Sequence, residues 1–92
     1  MTIQDIQNIL MVNRWGSINK AAEQIPMTQP ALSRCLQKVE RELRVHLFQR
    51  KQGSQISLTK EGEAFMRMGE KVMEIYSDFE RTMERGTMAS NL

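Results

Sequence analysis

Apolar residues recur every three or four positions through most of this sequence, and that spacing restricts the possible folds more than any other feature. It begins at Ile3 and continues, with short breaks, to Met83. It fails between residues 44 and 58, where the apolar runs 47–48 and 56–58 flank a polar, glycine-containing stretch. A period of three to four places apolar residues on one side of an α-helix. The pattern therefore predicts a mainly α-helical chain with one β-hairpin before its last helix.

Helix-ending and helix-capping residues divide this pattern into four helices. Gly16 suits a left-handed helix end, and Ser17 can cap the helix that follows. Pro26 ends the second helix, because the residue before a proline is pushed out of the α region. Thr28 can cap the third helix, and Pro30 falls in its first turn, where the missing N–H costs nothing. The predicted helices are 3–14, about 18–24, 29–43 and 59–85.

The last predicted helix is longer than so small a domain can cover. About 26 residues at 1.5 Å each give about 39 Å. Its distal half is expected to bury its apolar side against something else, most economically a second copy. Packing of a helix that folds back on its own domain is the alternative. The predicted dimerisation residues are Phe65, Met68, Val72, Ile75, Tyr76, Phe79 and Met83. Residues 86–92 lack periodicity and are predicted to form a flexible tail.

The charge distribution divides the 92-residue chain into two parts. Residues 1–60 contain nine basic and four acidic side chains, a balance of +5, and residues 61–92 contain four and seven, a balance of −3. A basic front part suggests a polyanionic partner, although solvated surface charge is the alternative reading.

The third helix has a polar, basic face opposite its apolar stripe, and this face suits recognition of double-stranded DNA. Arg34 can donate two parallel hydrogen bonds to guanine, and Gln29 and Gln37 can contact adenine. Ser33 can serve a base or a phosphate. The N–H groups near Thr28 can bind a phosphate. Two further cations in the predicted hairpin can reach phosphates or a narrow minor groove: Arg50 and Lys51.

Catalysis and metal binding find little support. The chain has a single cysteine, Cys35, and a single histidine, His46, which excludes an internal disulfide, cysteine clusters and histidine-pair metal sites. Cys35 and Ser33 lack an evident base, and no phosphate-binding glycine motif is present. We therefore predict no enzyme activity and no catalytic, cofactor or metal residues. No signal peptide or membrane segment is apparent, so a cytoplasmic protein is expected.

Four segments together are similar to one known family: 16–23, 28–34, 47–50 and 58–62. They resemble the N-terminal DNA-binding domain of LysR-type bacterial transcriptional regulators, and the likeness covers about residues 3–66. It implies a winged helix-turn-helix with a linker helix that pairs with a second subunit on an inverted-repeat operator. It also implies a C-terminal effector domain, which this chain is expected to lack, and with it any small-molecule effector site.

The resemblance implies a winged helix-turn-helix domain over residues 1–58, with the helix-turn-helix at about 18–37 and the wing at about 47–58, followed by a linker helix over 59–85. The predicted DNA-binding residues are Ser17, Thr28, Gln29, Pro30, Ser33, Arg34, Gln37, Arg50 and Lys51. Two residues depart from the family pattern. Cys35 replaces a common glutamine, and Arg44 replaces a glycine at the end of the third helix. The alternative function is a winged-helix module for protein interaction or dimerisation.

Overall fold

Four helices and one two-stranded antiparallel hairpin make up the fold. The computed structural model describes residues 1–53 and 55–90, with side chains of residues 1–53 and 55–85. The elements are α1 (Ile3–Trp15), α2 (Ile18–Gln24), α3 (Gln29–Leu43), β1 (Phe48–Arg50), β2 (Ile56–Leu58) and α4 (Lys60–Ser90). This confirms the predicted mainly helical winged helix-turn-helix with a long final helix.

The corner between α1 and α2 forms as predicted. Gly16 ends α1 in the left-handed region at φ 66°, and its N–H donates to the carbonyl oxygens of Val12 and Asn13. The Ser17 hydroxyl accepts a hydrogen bond from the Lys20 N–H at 3.4 Å and so caps α2. Because glycine has no Cβ, it adopts this conformation without strain, and α2 begins two residues after it.

Local sequence also fixes both ends of α3. The Thr28 hydroxyl accepts from the Ala31 N–H at 3.2 Å, and Pro30 lies in the first turn. At the other end Arg44 adopts φ 58° and ψ 39°, and its N–H donates to the carbonyl oxygens of Glu40 and Arg41. A non-glycine residue in this region costs about 1–2 kcal/mol. The position where the family pattern has a glycine is therefore left-handed in this chain, and it carries an arginine.

The core lies where α1, α2 and α3 meet, and α4 completes it. Its largest fully buried side chains are Val12, Ile9, Leu32, Val39 and Leu47. From α4, Phe65 and Met66 are 5% and 6% exposed and join the same cluster. Two glycines, Gly62 and Gly69, allow α4 to approach the rest of the domain closely.

The two glycines meet different surroundings. A Cβ at Gly62 would overlap the Leu47 carbonyl oxygen and lie 2.9 Å from the Leu58 Cδ2 atom. At Gly69 it would lie 3.1 Å from side-chain atoms of Ile6 and Leu10. Gly62 therefore brings α4 against backbone at the base of the hairpin, whereas Gly69 brings it against side chains of α1.

The hairpin forms the wing and is attached to the helical corner. Phe48 pairs with Leu58 and Arg50 with Ile56, and the Lys51 N–H donates to the Gln55 carbonyl at 2.9 Å. The Ile56 N–H donates to the Gly16 carbonyl at 3.2 Å, which ties the wing to the corner before α2. The predicted first strand included residue 47, but Leu47 precedes β1 and lies in the core.

Helix α4 is longer than the sequence predicted. It continues to Ser90, whereas the predicted helix ended at residue 85 and a flexible tail followed. Residues 86–90 are thus helical, and residues 91–92 lie outside the described residues. Once a helix exists, each added residue gains a hydrogen bond for little further cost, so Gly86, worth about 1 kcal/mol against helix, does not end it.

Candidate nucleic-acid interface

The amino-terminal half of α3 presents a polar face to solvent while its other side is anchored in the core. Gln29, Pro30 and Arg34 are exposed and Ser33 is half-buried. On the opposite side, Leu32 is fully buried. An exposed face on a firmly packed helix is what reading of base edges in a major groove requires.

The structure brings part of this face together with the wing. Ser33, Gln37 and Arg50 line one groove of about 360 Å³ between α3 and β1, with Ile18 and Phe48 also contributing to its lining. Lys51 follows Arg50 and is exposed. The other predicted contact residues of α3 do not line this groove. They lie at the N-cap and in the first two turns of the helix: Thr28, Gln29, Pro30 and Arg34.

The cations of this surface are available to an external anion. Among the described residues the salt bridges are Met1 to Glu42, Lys38 to Asp5 and Arg81 to Asp78. Within that part of the chain, Arg34, Arg50 and Lys51 are therefore not neutralised by a carboxylate.

One predicted contact residue is placed elsewhere. The Ser17 side chain is 2% exposed, and its hydroxyl caps α2. The Ser17 backbone also forms an isolated bridge with Gln55 of the wing. The structure thus contradicts a DNA contact through this side chain, because the hydroxyl is enclosed at the junction of corner and wing.

The family described as "Bacterial regulatory helix-turn-helix protein, lysR family" matches residues 3–63. The chain belongs to the LysR family. The resemblance seen in the sequence is confirmed, and the relatives of this LysR-family domain are transcriptional regulators, in agreement with the prediction that it is not an enzyme.

Three similar proteins define the extent of the match. The transcriptional regulator BsdA of Bacillus subtilis strain 168 is 33% identical over 78 residues, 85% of this chain and 27% of BsdA. The structure titled BenM_DBD with catB site 1 DNA superposes with a TM-score of 0.86 at 27% identity, covering 92% of this chain and 93% of that one. CbnR_DBD in complex with DNA gives 0.83 at 27% identity, covering 98% and 99%. The chain thus spans about a quarter of BsdA and nearly all of each DNA-bound domain.

On the side of α3 that faces α1, the LysR-family domain has a polar cluster that sequence reasoning missed. The Asp5 carboxylate lies 2.9 Å from the Lys38 Nζ and accepts a hydrogen bond from the Cys35 thiol at 3.4 Å. The Asn8 amide lies 3.9 Å from the same sulfur. The signal that could have revealed it is Thr2 three residues before Asp5, which forms a capping box at the start of α1.

The environment of Cys35 argues against both reactivity and base contact. The residue is half-buried and faces α1. Burial, followed by the neighbouring Asp5 carboxylate, raises the pKa of its thiol, although a hydrogen bond from Asn8 opposes this. Since the thiolate is the reactive form, Cys35 suits a structural role beside α1.

Helix α4 divides into a docked and an exposed half. Phe65 is buried in the chain's own core, so its prediction as a dimerisation residue is wrong. Met68 and Val72 are partly buried against that core. The remaining predicted residues have exposed fractions of 69%, 39%, 56% and 47%: Ile75, Tyr76, Phe79 and Met83. The sequence pattern continues without a break where the helix leaves its own domain.

Metal-binding clusters and membrane-spanning helices are both absent from the part of the chain that the structure describes. No three His, Cys, Asp or Glu side chains are grouped so that they could hold a metal ion. No helix there is sufficiently long and apolar to cross a membrane.

Proposed function

We propose that this LysR-family domain binds double-stranded operator DNA with sequence specificity, as part of a bacterial transcriptional regulator located in the cytoplasm. The observation that carries the proposal is the exposed face of α3, with Gln29 and Arg34, beside a groove that Ser33 of the same helix and Arg50 of the wing line. The similarity to BenM_DBD and CbnR_DBD, both solved with DNA, supports it. Effector recognition is not assigned to these residues.

In the proposed mode α3 enters the major groove and the wing lies on the backbone or in the minor groove. Arg34 and Gln29 project from the first turns of α3, where an inserted helix contacts base edges. Pro30 and Ser33 shape the surface beside them, and Thr28 holds the helix start against a phosphate. Arg50 and Lys51 supply sequence-independent attraction.

We further propose that two copies pair through the distal half of α4 and so address an inverted-repeat site. The exposed side chains Ile75, Phe79 and Met83, with Tyr76, form an apolar surface that this chain does not cover in its described part. A two-fold pair would place one recognition helix on each half-site.

Selection of bound sequences from a random DNA pool tests the proposal. The selected duplex and a scrambled one are then titrated at two salt concentrations, with wild type, Arg34→Ala and Lys51→Ala. We expect Arg34→Ala to weaken binding to the selected duplex by about 1–3 kcal/mol and to reduce the difference in affinity between the selected and scrambled duplexes. We expect Lys51→Ala to weaken both equally and to reduce the salt dependence. Equal wild-type affinity for both duplexes contradicts sequence-specific binding.

The second candidate function is a protein-interaction module, which the exposed apolar half of α4 favours. Light scattering with and without the selected duplex separates the two candidates. A chain that has a defined stoichiometry but binds neither duplex supports the interaction module. Two copies of the chain bound to one duplex support the regulator.

A further inference from the structure

A second basic surface lies at the carboxyl end of α3, beyond the face described above. A groove of about 510 Å³ is lined there by Gln37, Glu40, Arg41, Arg44, Val45 and His46. Gln37, Glu40 and His46 also line the groove between α3 and the wing. The two grooves therefore adjoin, and Arg44 lies beside the groove that Ser33 and Arg50 line.

The charges of this second groove favour an anion. Arg41 and Arg44 are exposed, and among the described residues neither forms a salt bridge. One carboxylate shares the groove, that of Glu40. Its Oε2 atom accepts a hydrogen bond from the Leu47 N–H at 2.6 Å, so it is engaged with backbone at the start of the wing.

The conformation of Arg44 is the observation that separates this surface from ordinary solvated charge. Its φ of 58° is the one positive φ of a non-glycine residue among the described residues. Glycine adopts that conformation without strain, so a long cation at this position lowers the stability of the domain. Strained residues of this kind concentrate at binding sites and switches. Attraction to the carboxyl end of the α3 dipole is the competing structural explanation.

We infer that Arg44, together with Arg41, forms an additional contact site for the phosphate backbone of duplex DNA at the carboxyl end of α3. The inference rests on the proposed function and deepens it, because it extends the bound surface beyond the recognition face. Contact with phosphate oxygens carries no base information, so the site strengthens binding to every duplex to the same degree.

The test uses the 92-residue chain and a labelled mixed-sequence duplex of about 30 base pairs, roughly three helical turns. Affinity is measured by fluorescence anisotropy at several salt concentrations for wild type, Arg44→Gly and Arg44→Lys. Arg67→Ala is the matched control, since it removes an exposed cation of α4 that lines neither groove.

Arg44→Gly is expected to make the fold more stable and the DNA complex weaker. Loss of one phosphate contact reduces the slope of log affinity against log salt by about 0.9, which is about fivefold in affinity near 0.15 M salt. Relief of the backbone strain raises Tm by about 4 °C or more. Arg44→Lys keeps the charge and is expected to bind within about twofold of wild type. Arg67→Ala is expected to leave the slope unchanged.

Several outcomes overturn the inference. If Arg44→Gly binds DNA with the affinity and salt slope of wild type, Arg44 makes no phosphate contact. If Arg44→Gly has a lower Tm than wild type, Arg44 has a purely structural role at the helix end. If wild type binds and Arg34→Ala loses discrimination on the selected duplex while Arg44→Gly is unaffected, this inference fails alone. If wild type binds no duplex, the proposed function fails with it.

Discussion

Replacing Asp5 by asparagine removes the carboxylate that joins α1 to Lys38 and Cys35 of α3. In the folded chain this carboxylate accepts hydrogen bonds from the Thr2 N–H at 2.9 Å and from the Cys35 thiol, and it pairs with Lys38. Asparagine keeps the size of the side chain and loses the charge. The substitution therefore measures how much the charged contacts contribute to holding α3 in place.

The pKa of Asp5 gives the magnitude. Burial acts to raise it, but hydrogen bonds from Lys38, the Thr2 backbone and Cys35 outweigh burial and hold the pKa at about 2, below its ordinary value of 3.8. One pKa unit corresponds to 1.36 kcal/mol, so the ionised carboxylate stabilises the fold by about 2 kcal/mol. Because the folded-state pKa is the lower one, this stability is present above about pH 4 and is lost as pH falls toward 2.

Urea unfolding from about pH 7 down to pH 2 measures this contribution. We expect Asp5→Asn to be less stable than wild type by about 2 kcal/mol at pH 7 and the two curves to converge near pH 2. Glu23→Gln, which removes an exposed carboxylate without a salt bridge among the described residues, serves as the control. A difference that persists unchanged to pH 2, or is absent at pH 7, refutes the reasoning.

Two further predictions concern α4. Gly62→Ala should destabilise the fold by about 2–3 kcal/mol in urea unfolding, because the new methyl group overlaps backbone at Leu47. Gly69→Ala should be within about 1 kcal/mol of wild type, since side chains can yield there and alanine favours helix; equal losses at both sites would contradict this account. Ile75→Glu combined with Phe79→Glu should give a monomer by light scattering with a nearly unchanged Tm, because both side chains are exposed. A persistent dimer would place the pairing surface elsewhere.

The parts of the fold that depend on local chemistry are the parts the sequence could predict. Gly16 ends α1, and Thr28 and Pro30 begin α3, as their backbone preferences require. These features involve hydrogen bonds within a few residues, so the information that determines them lies close together in the chain.

Features set by long-range packing could not be predicted in the same way. The apolar spacing on α4 is the same for side chains that face the chain's own core and for those that leave it, so Phe65 was assigned to the wrong surface. A serine hydroxyl such as that of Ser17 can either cap a helix or contact DNA. Here the wing pairs with the Ser17 backbone, and the buried hydroxyl caps α2. The Asp5 cluster joins residues about 30 positions apart, a proximity that periodicity does not reveal.

Helix α4 packs against the base of the wing at Gly62 and extends far beyond it, so a small change of angle there moves the far end of the helix by a large distance. From Gly62 to Ser90 the helix extends over about 42 Å at 1.5 Å per residue. A tilt of about 10° at its base would therefore move its far end by about 7 Å, which is close to the rise of two base pairs of DNA. In a pair of copies joined through the distal half, the angle at which α4 leaves the domain sets the distance between the two recognition helices. In such a pair, the packing of Gly62 against the base of the wing would set the spacing between the proposed half-sites.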